Sequence, residues 1–271
     1  MNHQKPETGN RKPIKTRLDN LLLSRGLADT RAKAQALILA GRVRVDGKPM
    51  TKAGALVPEG AAVEVLAPAS PYVSRGGDKL AAALDHFQVD PADKICLDTG
   101  ASTGGFSHVL LLRGAARVYA VDVGYGQLDP VVRNDPRVVV LERTNIRLLP
   151  QEAIPGAVDL ATLDLSFISL TLVLPKIVDF LRPGGEILAL VKPQFEVGKG
   201  RVGKGGVVRD PTLQQEALAQ VAQAARSLGL CASEGFPAPL KGPKGNQEWF
   251  LHMKKPAVST GVDSNPKSFE L

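Results

Sequence analysis

The residues best suited to chemistry begin with a glycine-rich stretch near the middle of the chain. Asp98-Thr99-Gly100-Ala101-Ser102-Thr103-Gly104-Gly105-Phe106 directly follows the strand-like run Ile95-Cys96-Leu97. Glycines let a ligand approach the backbone closely, and a helix N-terminus beneath the loop favours a nucleotide-type ligand. The spacing is Asp-x-Gly-x-x-x-Gly-Gly, not the Gly-x-Gly-x-x-Gly of dinucleotide-binding loops. The stretch predicts a small-molecule site, and the alternative is a purely structural turn.

Polar residues follow the next two predicted strands. Asp122 ends the run Val118–Val121, where an acid can accept hydrogen bonds from both hydroxyls of a ribose. Thr144-Asn145 follows the third strand. The loop resembles the first motif of class I S-adenosylmethionine-dependent methyltransferases, which implies that Asp98 faces the cationic methionine end and that Gly100 and Gly104 make room for it. The predicted cofactor-binding residues are Asp98, Gly100, Ser102, Thr103, Gly104, Gly105, Phe106, Asp122, Val123 and Asn145.

Two lysines and two acids form a second set. In chain order they are Lys79, Asp164, Lys192 and Glu248. The ends of predicted strands place Asp164 and Lys192 beside the transferred methyl group. The chain has no Asn-Pro-Pro-aromatic motif of amino-group methyltransferases and no cysteine where base-carbon enzymes carry theirs. The tetrad resembles that of the FtsJ-like ribose 2′-O-methyltransferases, and a set of separate surface salt bridges is the alternative.

The chemistry of ribose methylation suits these residue types. A ribose hydroxyl is a weak nucleophile, so it must be held in line with the methyl group and must lose its proton. A lysine can serve as a base only if burial or a second cation lowers its pKa. Our hypothesis is that Lys192 orients or deprotonates the hydroxyl, that Asp164 and Glu248 fix the ammonium groups, and that Lys79 completes the network. Positioning is expected to supply most of the catalysis.

The elements that must position these residues alternate between strands and helices from Asp78 onwards. This alternation predicts an α/β fold, with a mostly parallel sheet covered by helices on both faces and ligands bound at the carboxyl ends of its strands. The resemblance implies a Rossmann-like class I methyltransferase sheet. The predicted organisation is a disordered tail (1–15), a small domain (16–67), a linker (68–77), the methyltransferase domain (78–255) and a second tail (256–271).

The excess positive charge lies entirely in the first part of the chain. Residues 1–77 hold 13 Lys and Arg against 6 Asp and Glu, a balance of +7, whereas residues 78–271 hold 21 of each. A basic surface on a small domain is typical of a protein that binds a polyanion. A solvated surface is the alternative.

The sequence pattern of the small domain favours a surface that binds a polyanion over a solvated surface. Two short helices are predicted before Gly41, and Val43-Arg44-Val45-Asp46-Gly47-Lys48 predicts a hairpin turning at Asp46-Gly47. The segment resembles the alpha-L (S-four-type) RNA-binding domain, an α+β fold found in ribosomal proteins, pseudouridine synthases and tyrosyl-tRNA synthetases. The resemblance is carried by Arg17-Leu18-Asp19, Gly26-Leu27-Ala28, Thr30-Arg31, Ala34, Ile38 and the run from Gly41 to Gly47. The cations predicted to contact RNA phosphates are Arg17, Arg31, Lys33, Arg42, Arg44 and Lys48.

Residues 16–255 as a whole resemble the haemolysin A (TlyA) family of ribosomal RNA 2′-O-methyltransferases. The matching motifs are Tyr72 to Leu80, Asp98 to Phe106, Asp164 to Phe167 and Val191 to Glu196. The resemblance implies S-adenosyl-L-methionine as cofactor, ribosomal RNA or ribosomal subunits as partner, a cytidine ribose as target and a cytoplasmic location. It leaves the nucleotide, the subunit and the oligomeric state open.

Other sequence features exclude classes of protein or await a role. The chain has no apolar run long enough for a membrane span, no secretory signal and no histidine or cysteine spacing typical of a metal site, so no metal is expected. Cys96 and Cys231 are predicted to be buried reduced thiols. Residues 196–210 hold five glycines and four cations and predict a mobile loop that closes over RNA, or else a solvated linker.

Three other functions fit the sequence less well. An RNA-binding module with an inactive methyltransferase domain would not be expected to keep the complete tetrad. The haemolysin label suggests a toxin, but no amphipathic cationic helix supports a direct pore, so any lytic effect would be indirect. A pseudouridine synthase would share the RNA-binding domain but not the glycine loop.

Overall fold

A computed structural model describes residues 14–39, 41–66, 70–198 and 200–257. The chain divides into two compact units, Met1–Pro71 and Tyr72–Leu271. Most of both predicted tails falls outside the described residues, and so do Ala40 and Lys199. The domain limits given above remain predictions.

The first unit is a small α+β fold. Its elements are β1 (Lys15–Arg17), α1 (Leu18–Ser24), α2 (Arg31–Leu39), β2 (Val43–Val45), β3 (Lys48–Met50), β4 (Leu56–Pro58) and β5 (Val63–Val65). Strand β1 pairs antiparallel with β4, and β2 lies between β3 and β5. The predicted hairpin is present, because Asp46 and Gly47 both adopt positive φ angles of 50° and 76° and so form a tight turn between β2 and β3. The core includes Leu18, Leu22 and Ile38.

A buried carboxylate organises the helices of this unit. The Asp19 side chain is fully buried and accepts hydrogen bonds from Arg17 Nη2 (2.8 Å), Arg31 Nε (3.1 Å) and Gln35 Nε2 (3.1 Å). Its bonds to Arg17 hold the pKa of Asp19 far below the usual range. The carboxylate therefore ties β1 and α1 to the first turns of α2.

The six cations predicted to contact RNA have different surroundings. Arg17 and Arg31 pair with Asp19, and the Arg42 guanidinium donates to the Leu66 carbonyl. Lys33 forms an exposed ion pair with Asp29. Arg44 and Lys48 are exposed on β2 and β3 and make no ion pair with any residue that the structure describes. RNA contact by this set remains a prediction, but Arg42 has a structural partner that its spacing did not reveal.

The second unit carries the remaining elements. Its helices are α3 (Arg75–Phe87), α4 (Gly105–Leu112), α5 (Pro130–Arg133), α6 (Leu174–Phe180), α7 (Pro193–Glu196) and α8 (Pro211–Ser227), with 3₁₀ turns at Ile146–Leu148, Gln151–Ala153 and Leu170–Leu172. Its strands are β6 (Ile95–Thr99), β7 (Arg117–Val121), β8 (Val138–Leu141), β9 (Val158–Leu163), β10 (Leu181–Val191), β11 (Cys231–Ala232), β12 (Phe236–Pro237) and β13 (Trp249–Lys254).

The strands of this unit form one sheet in the order β11-β13-β10-β9-β6-β7-β8, with β12 also pairing to β13. The five strands from β10 to β8 are parallel, and β13 runs antiparallel beside β10. The chain adds β7 and β8 on one side of β6 and then crosses over to add β9 and β10 on the other. Ligands of open α/β sheets bind at such a reversal, next to the carboxyl ends of the strands.

Two separate apolar cores confirm that helices cover both faces of the sheet. Helices α6 and α8 pack on one face, and α3, α4 and α5 pack on the other. Side chains alternate along each strand, so neighbours such as Cys96 and Leu97 enter different cores. No helix among the residues described here is long and apolar enough to cross a membrane.

Two local expectations were wrong. Helix α3 begins at Arg75 instead of Asp78, so Arg75–Gly77 belong to its first turn. Gly77 packs against Tyr72 so closely that any side chain there would collide with the ring. Both cysteines are free thiols, but Cys231 is exposed because it lies on the short edge strand β11. Burial raises the pKa of Cys96 to about 12.

We expect Asp19→Ala to weaken the first unit selectively, by about 1.5–3 kcal/mol, because it removes hydrogen bonds to charged groups. Hydrogen–deuterium exchange should become faster in α1 and α2 and remain unchanged in β6 and β7. Asp29→Ala is the matched control, since it removes only an exposed ion pair. Equal exchange rates in the two variants would contradict a structural role for Asp19.

Candidate active site

Three adjoining clefts lie in the second unit at the carboxyl ends of its parallel strands. The Asp122 cleft, of about 490 Å³, is lined by Thr99, Asp122, Asn145 and Phe167 among others. The lysine cleft, of about 290 Å³, contains Lys79, Lys192, Asp164 and Glu248. These two share Gly100, Ser102, Asp164 and Ser166. The aromatic cleft, of about 370 Å³, is lined by Phe167, Phe195 and Lys244 among others. Volumes of this order suit small molecules and nucleotides.

The glycine loop is constrained by the protein around it. Gly100 has a φ of +86°, and a Cβ there would lie 2.5 Å from the carbonyl oxygen of Asp164. Gly104 has a φ of +90°, and a Cβ there would lie 2.8 Å from Leu128 Cδ1. Because both glycines are required by backbone geometry and packing, they need not be explained by the size of a ligand. The loop is fixed directly against the end of β9.

Asp98 lies beneath the loop and does not line either of the two clefts that flank it. It is fully buried, and its carboxylate accepts hydrogen bonds from Ser107 Oγ at 2.6 Å and Thr162 Oγ1 at 3.0 Å. Burial raises the pKa of Asp98 to about 6, with a further contribution from the nearby charge of Asp164. The predicted contact between this carboxylate and a cofactor stays a prediction, while the structure gives Asp98 partners on β9 and α4.

The carboxylate of Asp122, at the end of β7, is held in a fixed orientation. Its two carboxylate oxygens accept hydrogen bonds from the backbone N–H groups of Ser102 (2.8 Å) and Gly124 (2.6 Å). These bonds fix the carboxylate and leave lone pairs for hydroxyl groups of a ligand. The hydroxyl of Thr99, which also lines this cleft, is buried and has no hydrogen-bond partner among the described residues. A ligand group at that point would satisfy it.

Most of the predicted cofactor-binding residues lie together. Gly100, Ser102, Thr103, Gly105, Phe106, Asp122, Val123 and Asn145 line one or both of the Asp122 and lysine clefts. Asp98 and Gly104 lie behind that surface. The Asn145 side chain also accepts a hydrogen bond from Arg147 N, so it begins the 3₁₀ turn that follows β8. Thr99 and Gln127, which also line the Asp122 cleft, were not in the predicted set.

The four tetrad residues lie in the lysine cleft as two ion pairs. Lys79 Nζ lies 2.5 Å from Glu248 Oε2, and Lys192 Nζ lies 2.6 Å from Asp164 Oδ1. Both lysine side chains are about nine-tenths buried, with 11% and 10% of their surfaces exposed, and Glu248 is 1% exposed. Lys192 also donates to Ser166 Oγ at 3.1 Å. The pairs hold two ammonium groups in fixed positions in one cleft.

The register of the sheet explains how distant residues meet. Asp164 directly follows β9, and its N–H donates to Thr99 O at the end of β6. Lys192 directly follows β10. Because β13 runs antiparallel to β10 and pairs Trp249 with Val191, Glu248 enters at the edge where Lys192 leaves. Lys79 comes from the second turn of α3 on the neighbouring core.

Glu196 links two segments of the site through contacts that the sequence did not predict. Its carboxylate is 5% exposed and accepts hydrogen bonds from Ser169 Oγ (2.5 Å) and Leu170 N (2.9 Å). Burial raises the pKa of Glu196. The residue joins the segment after β10 to the segment after β9, which carry Lys192 and Asp164. An acid four residues after Lys192 was visible in the sequence, but its partner across the sheet was not.

The segment 196–210 is partly anchored. Gly203 and Val207 form an isolated β-bridge, Arg201 pairs with Glu216, and Val208 N donates to the Asn246 side chain. Val197 and Val208 pack with Ala217 in a small core of their own. Closure of this segment over RNA remains a prediction. No group of three or more metal-ligating side chains is found within the described ranges.

Comparison with known proteins identifies relatives of both units. Residues 72–255 match the FtsJ-like methyltransferase family, and residues 16–63 match the S4 domain. A Mycobacterium tuberculosis protein named 16S/23S rRNA (cytidine-2′-O)-methyltransferase TlyA is 52% identical, covering 89% of this chain and 90% of that protein. Hemolysin A of Brachyspira hyodysenteriae is 40% identical, with coverages of 87% and 98%. A solved structure of a candidate hemolysin from Streptococcus thermophilus is 39% identical, with a TM-score of 0.70 over 90% of this chain and 89% of that one.

We expect the buried Asp98 to make stability fall as pH rises. Its folded-state pKa of about 6 exceeds the roughly 3.9 of an unfolded aspartate, so the folded state binds more protons between these values. The contribution is fully present below about pH 4 and is lost as pH passes 6. Asp98→Asn should remove roughly 1–3 kcal/mol of this dependence.

The measurement is the free energy of unfolding by urea at pH 4.5, 6 and 7.5, taken as the difference between wild type and variant. Asp85→Asn, which changes an exposed aspartate, is the control. An Asp98→Asn curve parallel to the wild type across this range would show that Asp98 is ionised throughout.

Proposed function

This chain belongs to the TlyA branch of the FtsJ-like methyltransferase family, and we propose that it methylates the ribose 2′-hydroxyl of a cytidine in ribosomal RNA. The proposed methyl donor is S-adenosyl-L-methionine. The observation that carries the proposal is the lysine cleft, where two lysine–carboxylate pairs adjoin the glycine loop.

The Asp122 cleft fits the proposed cofactor. An anchored carboxylate suits the two ribose hydroxyls, and the unpartnered Thr99 hydroxyl offers a further polar contact. Gly100, Ser102 and the helix beginning at Gly105 border the adjoining lysine cleft, where the methionine end would be held. When bound, S-adenosylmethionine supplies a methyl group already activated by its sulfonium charge.

The residues of the chain then have only to position an oxygen and manage one proton. Lys192 is held by Asp164 and Ser166, so its ammonium donors are fixed toward an incoming hydroxyl oxygen. As an ammonium it orients the hydroxyl by donation; as a neutral amine it accepts the proton. Lys79, held by Glu248, places a second ammonium group in the same cleft and completes the network. Glu196 holds the segment after β10, which carries Lys192, next to the segment after β9, which carries Asp164.

The substrate assignment draws on the relatives and on the first unit. The M. tuberculosis relative is named for cytidine 2′-O-methylation of 16S and 23S rRNA. The S4-matching unit supplies exposed cations such as Arg44 and Lys48 for phosphate contact. A protein acting on ribosomal subunits would work in the cytoplasm.

The test is transfer of a labelled methyl group from S-adenosylmethionine to both ribosomal subunits taken from cells lacking this protein. Nucleoside analysis should recover the label as 2′-O-methylcytidine, and the labelled subunit identifies the substrate. Label on a base would overturn the role of the tetrad. No label together with normal cofactor binding would favour an RNA-binding module whose methyltransferase domain is inactive.

We expect Lys192→Ala to lower the rate of methyl transfer at saturating RNA by roughly 10²–10⁴-fold, because the hydroxyl loses its orienting or basic group. The affinity for S-adenosylmethionine, measured by calorimetry, should change little. Lys176→Ala, which alters a lysine on α6 outside the clefts, is the control. A wild-type rate in Lys192→Ala would remove Lys192 from the mechanism.

Lys192→Arg separates the two roles of the amine. Arginine keeps the charge and the donors but is not deprotonated in proteins. Substantial activity in Lys192→Arg would assign an orienting role to Lys192. Inactivity, with a wild-type rate that rises with pH, would assign it the role of base.

A further inference from the structure

The segment Leu240–Gly245 joins β12 to β13 and borders two clefts. Lys241 lines the lysine cleft, Lys244 lines the aromatic cleft, and Pro243 between them lines both. Lys192, Ser166 and Glu248 also line both clefts. The two lysines therefore flank the boundary next to the proposed reaction centre.

This segment is held firmly in place. Gly242 N donates to Asn246 O, and Gly245 N donates to Gly242 O, closing a tight loop. Gly242 is buried against Glu248, and any side chain there would collide with the carboxylate of Glu248. The buried Asn246 accepts from Val208 N (2.9 Å) and donates to Gly206 O (2.8 Å). The backbone that carries Lys241 and Lys244 is thus fixed to the tetrad and to the segment 203–208.

Some lysines that line the clefts have a carboxylate partner, and others have none among the described residues. Lys79 and Lys192 are neutralised by Glu248 and Asp164. Lys241 and Lys244 are exposed, and neither forms an ion pair or hydrogen bond with a described residue. Arg75, at the start of α3, is another exposed cation lining the lysine cleft. The clefts therefore carry unpaired positive charge although residues 78–271 are neutral in sum.

A phosphate of the proposed RNA substrate could pair with the unpaired positive charge of Lys241 and Lys244. In RNA the 2′-oxygen and the 3′-oxygen sit on adjacent carbons, so the phosphate on the 3′ side lies only a few bonds from the methylated atom. A ribose whose 2′-hydroxyl reaches Lys192 must bring that phosphate to the edge of the lysine cleft. The paired lysines leave it without a counter-charge, and Lys241 and Lys244 are placed to supply one.

Resting on the proposed function, we infer that Lys241 and Lys244 form a phosphate-binding site for the RNA strand at the target nucleotide. The two lysines contact the backbone phosphates next to the methylated ribose, one at each of the two clefts. Such contacts fix the register of the strand and carry no information about base sequence. The segment Leu240–Gly245 therefore positions the substrate strand and takes no part in proton transfer.

The experiment compares wild type with Lys241→Gln, Lys244→Gln and the double variant. Binding to unmodified ribosomal subunits is measured across a series of monovalent salt concentrations, with S-adenosylmethionine affinity measured separately. Lys254→Gln is the charge-matched control, because Lys254 ends β13 opposite Glu186, at the far end of the strand pair. Circular dichroism checks that each variant is folded, and the double Lys→Arg variant tests whether charge alone suffices.

We expect the slope of log affinity against log salt to fall by about 0.7–0.9 for each lysine, and by roughly 1.5 in the double variant. Cofactor affinity should stay unchanged, and the Lys→Arg pair should retain most of the slope. A wild-type slope in the double variant would overturn the inference. A fall in cofactor affinity instead would assign the lysines to the carboxylate of the cofactor, which also overturns it. Because binding is measured apart from methylation, failure of wild type to methylate ribose would sink only the proposed function.

Discussion

The lysine cleft depends on the pairing of two ammonium groups with two carboxylates. Two lysines confined in one largely buried cleft would repel each other and lose hydration, and neither would keep a defined position. The Lys79–Glu248 and Lys192–Asp164 pairs offset the repulsion and orient the donors. The fold supplies the four residues from α3, β9, β10 and β13, so the parallel sheet and its one antiparallel neighbour are both needed.

Pairing of buried charges also organises the first unit, where one carboxylate serves several donors. There a single buried carboxylate, Asp19, gathers Arg17, Arg31 and Gln35 and so fixes the junction of two helices. Arg17 and Arg31 stay partly exposed, with 42% and 55% of their side chains accessible. A guanidinium has five donors, so arginines bound on one side by Asp19 keep donors for a phosphate on the other. Structural and RNA-binding roles are therefore compatible in these residues.

The sequence predicted a mostly parallel sheet covered by helices on both faces, and it predicted that the strand ends carrying Asp164 and Lys192 lie side by side. Both depend on local periodicity and on the ends of parallel strands meeting at one edge. It did not predict which partners long-range packing would supply. The burial of Asp98 was not predicted, because its partners Ser107 and Thr162 come from α4 and β9, which meet beside β6 only in the folded structure. The role of Glu196 and the hydrogen bond from Arg42 to Leu66 were overlooked for the same reason, since the partners lie 24 to 27 residues away in the chain.

The contact between Gly100 and the carbonyl of Asp164 limits how this scaffold can be redesigned. The loop beside the proposed cofactor and the strand end that carries Asp164 touch through their backbones, with no side chain between them. They form one unit that must be transplanted whole, because a graft that shifted the loop would also shift Asp164. The segment Leu240–Gly245 is coupled to the same site, because Gly242 packs against the carboxylate of Glu248. A graft of this site would therefore have to carry the glycine loop, the end of β9 and the segment 240–245 together.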